Sequence, residues 1–300
     1  MSDDGFHQRF GLNSLNFDLH NHSNASDGLL AAAALVQLAK NNGCDALALT
    51  DHDTTANLAV ATAAAKAVAL HFIPGVEISV SWVAQGDIDA LPVTVHIVGL
   101  NIDANNPQLQ DGLASVRGGR IIRGKAIARQ LAEAGIADIF DEAWALAENK
   151  EMLGRTHFAR ALVARGLVKD VGSVFKRYLI SGKPGFVPHR WASLDDAVAW
   201  IRAAGGVAVI AHPGRYGLEK NALNMLFDEF KAMGGQSIEV VTGSHSPAEY
   251  ASFAAHCKAF GFYASRGADF HGLNETLAGP GQLPRLSDVD RDLRAVWQLF

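Results

Sequence analysis

A chain of 300 residues, 49% hydrophobic and 19% charged, carries enough apolar material for one large core, or a core with an inserted unit, and has an ordinary globular composition. A net charge of −5 argues against a surface built to wrap duplex nucleic acid, although a local basic pocket for a small anion stays open. No apolar run approaches the roughly 18 residues of a membrane span, and the polar, acidic start M-S-D-D-G-F-H-Q-R-F has neither the basic nor the apolar region of a secretion signal. Cys44 and Cys257 are far apart and form no CxxC pair, so they read as buried thiols in a reducing compartment, and the expected location is cytoplasmic with no membrane partner.

In chain order, residues 1 to 13 read as a loose leader and 15 to 19 as a first strand. The strand ends in His20-Asn21-His22, with Asp27 following. Residues i and i+2 of a strand share a face, so both imidazoles can be directed to one point at its C-terminal end, which makes half of a metal site. Gly28 to Asn42 is a strong helix former closed by Gly43 as a C′ glycine. Asp45 to Thr50 is a second buried strand ending in Asp51-His52-Asp53, and Thr54 is expected to cap the helix that runs to about Ala69. The third strand, Phe72 to Val80, carries Glu77, and the fourth, Val93 to Leu100, carries His96; Trp82 to Leu91 between them reads as a hairpin or loop. Ionisable groups inside runs this apolar are costly unless each has a partner such as a cation.

From about Asp103 to Val187 helices succeed one another and the βα alternation stops, as expected of an inserted helical subdomain over 103–187. A helix from Ser193 ends at Gly205-Gly206, and V-A-V-I-A-H-P-G resumes the strands with His212 at the tip. Met225 to Met233 is helical, Ser237 to Val241 a strand, Pro247 to Phe260 a helix and Phe262 to Ser265 a seventh strand, followed by Asp269 and His271. Seven strands alternating with helices predict an α/β fold, a closed or nearly closed parallel barrel formed by 14–102 and 188–286. Six of the seven strands have a His, Asp or Glu inside or just after the end, whereas an open doubly wound sheet would gather ligands at one switch point.

The set D-L-H-N-H-S-x-x-S-D-G, T-D-H-D, G-V-E, V-x-H-I-V-G, A-H-P-G-R and G-x-D-F-H-G resembles the PHP (polymerase and histidinol phosphatase) superfamily, and within it the bacterial nucleoside 3′,5′-bisphosphate phosphatases. The resemblance runs from about residue 15 to residue 285. It implies a distorted (β/α)7 barrel and two to three divalent metal ions, manganese first, with iron or zinc as alternatives. It also implies nine ligands: His20, His22, Asp27, His52, Glu77, His96, His212, Asp269 and His271. In family terms Glu77 and Asp269 are shared carboxylates, His20 and His22 hold one metal, His96 and His212 a second, and Asp27, His52 and His271 a third. Asp27, His52, Glu77 and Asp269 are the expected catalytic centre. Any one histidine alone reads better as a hydrogen-bonded core residue, as His7, His71 and His256 do. Asp51 and Asp53 are expected to orient His52 without ligating.

The insertion supplies cations. Arg117, Arg120 and Arg123 recur at i, i+3 and i+6, a stripe on one helix face whose plain alternative is a solvated charged surface. Gly154-Arg155-Thr156-His157 stands at a helix start, where free N–H groups welcome phosphate, and Lys183, Arg215 and His245 are further substrate-binding candidates. Tyr178, Phe186 and Trp191 could stack on a base. No Gly-rich phosphate loop, GxSxG or Cys/His pair competes for the chemistry. The expected function is metal-dependent removal of the 3′-phosphate from a nucleoside 3′,5′-bisphosphate. A 5′-to-3′ exonuclease on short 5′-phosphorylated oligonucleotides, a histidinol-phosphate-type phosphatase and an inactive metal-binding regulatory module are the alternatives.

Overall fold

The computed structural model describes residues 15–84 and 92–300. The leader expected over 1–13 and most of the loop expected over 82–91 lie outside them. One seven-stranded sheet in the order β1 to β7 forms the barrel wall: β1 (Phe17–Asp18), β2 (Ala46–Leu49), β3 (His71–Trp82), β4 (Val93–Leu100), β5 (Val207–Ile210), β6 (Ser237–Thr242) and β7 (Tyr263–Gly267). Beyond its two ladder residues, β1 continues along β7: Leu19 N–H donates to Arg266 O at 2.9 Å, Asp269 N–H to His20 O at 2.9 Å and His22 N–H to Phe270 O at 3.0 Å. These bonds close the barrel between its first and last strands.

The seam is fastened from below by two buried charged side chains, Arg266 and Asp18. The Arg266 guanidinium donates to Phe17 O, Asn16 Oδ1, Leu283 O and Pro284 O, and Asp18 accepts from Ala268 N at 2.9 Å and Gly281 N at 2.7 Å. Burying these charges is tolerable because so many of their polar atoms are met by fixed partners.

The parallel barrel expected from the sequence needs one correction. β4 is antiparallel to both β3 and β5, with Ser79 opposite His96 and Leu100 opposite Val207. Residues 83–92 between β3 and β4 are too few for a parallel crossover, which takes a dozen or more, so the two strands pair in the antiparallel sense. β4 therefore delivers the chain to the base of the barrel. Helix α3 (Pro107–Arg117) carries it back up: Asn106 below donates to Ala203 O, and Arg117 above donates to Asp53 O. Gly112 lets α3 lie against the indole of Trp200, where a Cβ would fall 2.3 Å from Cδ2.

The other helices pack around the wall: α1 (Ala32–Asn41), α2 (Leu58–Ala67), α8 (Leu194–Ala203), α9 (Lys220–Ala232) and α10 (Pro247–Phe260). Leu35, Val36 and Ala39 of α1 are buried at the spacing of one helical face, and Gly43 closes the helix at φ 76°. Ser193 and Ser246 cap α8 and α10 through their hydroxyls. Thr54 does not cap α2: its hydroxyl accepts from Ala56 N in a local turn, and the helix begins at Leu58.

A second hydrophobic core begins at Ile127. It joins α4 (Arg120–Glu133), α5 (Ile139–Leu146), α6 (Arg155–Ala164) and α7 (Val171–Val174) around Phe158, Leu162 and Leu179, separate from the core that α3 shares with the barrel.

Close backbone approach at the seam generates a prediction. A Cβ on Gly267 would lie 2.3 Å from His20 Cβ and 2.5 Å from His20 N, whereas one on Gly118 would meet nothing nearer than 3.6 Å. Gly267→Ala is expected to lower unfolding free energy by about 3 kcal/mol or more, because the clash lies between backbones that cannot relax. Gly118→Ala, with Gly118 in the αR region, is expected to be neutral or slightly stabilising. Urea denaturation of both variants distinguishes the two outcomes.

Candidate metal centre

The sequence brings its ionisable groups to one rim by two devices. Strands β1 and β2 stop short of their ligands, and the chain continues in isolated bridges, Asn21 to Phe270 and His52 to Glu77, which extend the wall. The long β3 places Glu77 in mid-strand at the level of His52, with Asp53 N–H donating to Glu77 O at 2.8 Å. His96 reaches the same rim from the first half of β4, because that strand runs the opposite way. His212 (φ 26°) and Asp269 (φ 52°) adopt left-handed backbone, strain of a kind that recurs at functional sites.

Four donor atoms form a compact group. His20 Nε2 and His22 Nε2 are 3.1 Å apart, each 3.3 Å from Glu77 Oε2, and 3.5 and 3.2 Å from Asp269 Oδ1. A second group surrounds Asp27 Oδ1, with His271 Nε2 at 3.3 Å, His52 Nε2 at 3.8 Å and His22 Nδ1 at 3.9 Å. A third gathers on Glu77, with His52 Nδ1 2.9 Å from Oε2, and His96 Nδ1 and His212 Nε2 2.9 and 3.1 Å from Oε1.

These residues fit divalent cations. A cation bonded at about 2.0–2.2 Å spaces neighbouring tetrahedral donors by roughly 3.3–3.6 Å, close to the separations in the first group. Glu77 Oε2, Asp27 Oδ1, His22 Nδ1, His52 Nδ1 and His96 Nδ1 are buried and make no hydrogen bond, a cost that a cation would remove. A neutral imidazole has a single free lone pair, so His22 and His52, each facing two groups, can serve only one ion apiece.

Surrounding groups fix the donors. His20 Nδ1 lies 2.8 Å from Glu239 Oε1, so in the neutral ring the proton sits on Nδ1 and Nε2 is free to ligate. Glu239 Oε2 also accepts from His212 N at 2.6 Å, holding the strained turn. The sequence reading missed Glu239. Its signal was available, since a carboxylate in S-I-E-V-V-T is as anomalous as Glu77 in F-I-P-G-V-E-I-S-V. A register shift between Glu239 and Val241 marks a β-bulge there. Asp51 and Asp53 do not orient His52. Asp51 accepts from Ser23 N, Ser23 Oγ and Ser26 Oγ, and Asp53 from Ser79 N, Ser79 Oγ and Arg120, so they tie the rim loops together.

A cavity of about 650 Å³ opens above the rim, between the barrel loops and the insertion. Its wall contains the donors Asp27, His52, His96, His212, Asp269 and His271 together with the cations Arg120, Arg123, Arg155 and Arg215. Arg215 donates to Asp269 Oδ2 at 2.7 Å, and Arg120 is paired with Asp53. Arg123 and Arg155 have no carboxylate partner among the described residues: they donate to Val187 O and Leu179 O, and lie 5.2 and 5.6 Å over the rings of Trp191 and Phe175. Burial and then the neighbouring Arg155 and Arg120 charges pull Arg123 down to about 9, and burial with Arg215 and Arg120 lowers Arg155.

The stripe expected of Arg117, Arg120 and Arg123 is broken, because α3 ends at Arg117, α4 starts at Arg120, and Gly118-Gly119 separate them. Arg117, His157, Lys183 and His245 do not line the cavity. His157 is buried with Nδ1 accepting from Gly154 N at 3.1 Å, and burial pushes it down to about 4, so it is a neutral cap on its own helix. His245 Nε2 accepts from Gly214 N, and its Nδ1 faces Val240 O. Of the aromatic candidates Trp191 lines the cavity, as does the unanticipated Phe175, while Tyr178 and Phe186 do not.

The charges of the site's own side chains balance one another. Burial alone would raise Glu77 and Asp269, but the facing histidines hold both carboxyls well below the usual range. Burial would lower His22, yet the facing Asp269 and Glu77 carboxylates hold it at about 10, and Glu239 and Glu77 likewise raise His20. With their basicity held up in this way, protons compete with a cation for both rings. Manganese affinity is expected to rise with pH between 6 and 9, with proton release on binding. Calorimetric titration in buffers of different ionisation enthalpy measures this, and a buffer-independent heat would contradict it.

A match to the PHP domain extends over residues 18–202. The chain is 47% identical to a 3′,5′-nucleoside bisphosphate phosphatase of Chromobacterium violaceum, covering 94% of this chain and 95% of that one. It is 41% identical to a 5′-3′ exoribonuclease of Haemophilus influenzae, over 95% and 98% of the two chains. A solved structure of an amidohydrolase from Chromobacterium violaceum with bound sulfate and no metal superposes with a TM-score of 0.88 at 48% identity, covering 94% and 95% of the chains. With this match, these relatives and the rim of histidines and carboxylates together, the chain belongs to the PHP domain family.

Proposed function

We propose that this protein is a metal-dependent phosphatase that removes the 3′-phosphate from nucleoside 3′,5′-bisphosphates, leaving the 5′-monophosphate. The observation that carries the reading is one chamber whose walls hold two anion-seeking sets of groups: a rim of metal donors, and Arg123 and Arg155, cations without a carboxylate partner among the described residues. A single phosphate would engage one set; a bisphosphate suits both. The relative from Chromobacterium violaceum supports the same substrate class, and a chamber of about 650 Å³ is of a size for a nucleotide.

Two to three divalent ions, manganese first, are the reading that the overlapping donor groups support, with Asp27, His52, Glu77 and Asp269 as the catalytic centre. Such ions, when bound, make hydroxide available from water near neutral pH and offset charge on the phosphoryl oxygens. The chain's own share is positional. Glu77 and Asp269 hold negative charge at the barrel mouth, Arg215 steadies Asp269, and Arg123 and Arg155 bind and orient the 5′-phosphate on rings that fix their planes. A cytoplasmic setting fits the two unpaired, buried thiols. The second reading is a 5′-to-3′ exonuclease on short 5′-phosphorylated RNA, favoured by the Haemophilus influenzae relative, since the same two sets would accept a phosphodiester.

Turnover of adenosine 3′,5′-bisphosphate, adenosine 3′-monophosphate and a short 5′-phosphorylated RNA by the manganese-loaded protein tests both readings. The first requires the bisphosphate to be the better substrate, with loss of activity under strong chelation and recovery on adding manganese. Arg155→Ala is expected to lower kcat/KM on the bisphosphate by roughly ten- to a hundred-fold, the loss of a charge-assisted contact of ~1.5–3 kcal/mol. The 3′-monophosphate, which never makes that contact, should lose much less. Equal losses on both substrates would remove Arg155 from 5′-phosphate recognition.

A further inference from the structure

The donor groups differ in what holds them. Around His20, His22, Glu77 and Asp269 the supports are barrel strands, the closing seam and Glu239. The Asp27 group is built otherwise. Asp27 sits in the irregular segment between β1 and α1, and His271 in the one after β7, so neither has a strand to fix it. Helix α6 holds Asp27 directly and the His271 segment through Glu275. Thr156 Oγ1 donates to Asp27 Oδ2 at 2.8 Å, which leaves Oδ1 facing His271 and His52. One turn on, the Arg160 guanidinium donates to Asp27 O at 2.6 Å and forms a bidentate pair with Glu275, four residues past His271, at 2.7 Å on both oxygens. The helix thus crosslinks the two loops that carry Asp27 and His271.

We infer that Thr156 and Arg160 are positioning residues that complete the Asp27, His52 and His271 metal position, so that the insertion sets the affinity of this position while the barrel alone sets that of the His20 and His22 group. The inference rests on the metal reading given above. Its reasoning is entropic and directional: an unsupported loop carboxylate must be ordered by the cation itself, whereas one pinned through its other oxygen and its carbonyl presents a fixed lone pair. Partners of this kind around a ligand are typically worth about ten- to a hundred-fold in metal affinity.

Manganese titration of metal-free full-length protein, followed by calorimetry and by metal content after desalting, tests the inference without recourse to turnover. Thr156→Val, which keeps shape and removes the hydroxyl, is expected to weaken one class of manganese site by roughly ten-fold or more and to leave the others at the parent's affinity. Thr156→Ser is expected to restore that class. Arg160→Gln, which breaks the crosslink, should weaken the same class. Parent-like isotherms for both Thr156→Val and Arg160→Gln, or equal weakening of every class, would overturn the inference. A parent protein that binds no manganese would instead overturn the metal reading on which it rests.

Discussion

The structure is organised around the carboxylate of Glu77, which is fully buried and faced by five histidines. His20, His22 and His52 approach Oε2, and His96 and His212 approach Oε1. A bare carboxylate would not survive in an apolar barrel mouth, and five imidazoles have no reason to converge without a charge to surround. The strained backbone at His212 and the Gly267 close approach both serve this convergence. So does the reversal of β4, which brings His96 to the rim from the other direction. Among the described residues no other carboxylate is met by so many rings.

Much of this was legible in the chain, because strands announce themselves by apolar runs and their ligands by polar residues at the ends. β4 and α10 have the boundaries that the sequence suggests. The direction of β4 was not legible from its own residues, since period and composition are the same for either orientation; the brevity of 83–92 was the usable sign. The arginine stripe misled because i, i+3, i+6 spacing presumes one helix, and Gly118-Gly119 were there to break it. Glu239 was overlooked beside more obvious ligands. Thr156 was unreadable, because a threonine at a helix start looks like any other until its hydroxyl is seen on a carboxylate 129 residues away.

The electrostatics also show how little net charge says about a site. A chain of net charge −5 sets Arg123 and Arg155 in a chamber without carboxylate partners among the described residues, while Asp27 and Asp269 there face the histidines of the donor rim. Arginine suits this role, because its guanidinium can rest on Trp191 or Phe175 and still present donors to the chamber. The aromatic residues that the sequence offered as base-stacking surfaces include one that supports cations.

The closing of the barrel by its two ends has a consequence for how the protein is made. His20 belongs to the first described strand, yet the backbone that fixes it, Arg266 to Phe270, emerges from the ribosome some 250 residues later. During synthesis the early histidines wait as free side chains, with neither the seam nor Asp269 in place. The full set of donors therefore exists only once the segment after β7 has been made, and a nascent chain halted anywhere before β7 lacks Asp269 and His271.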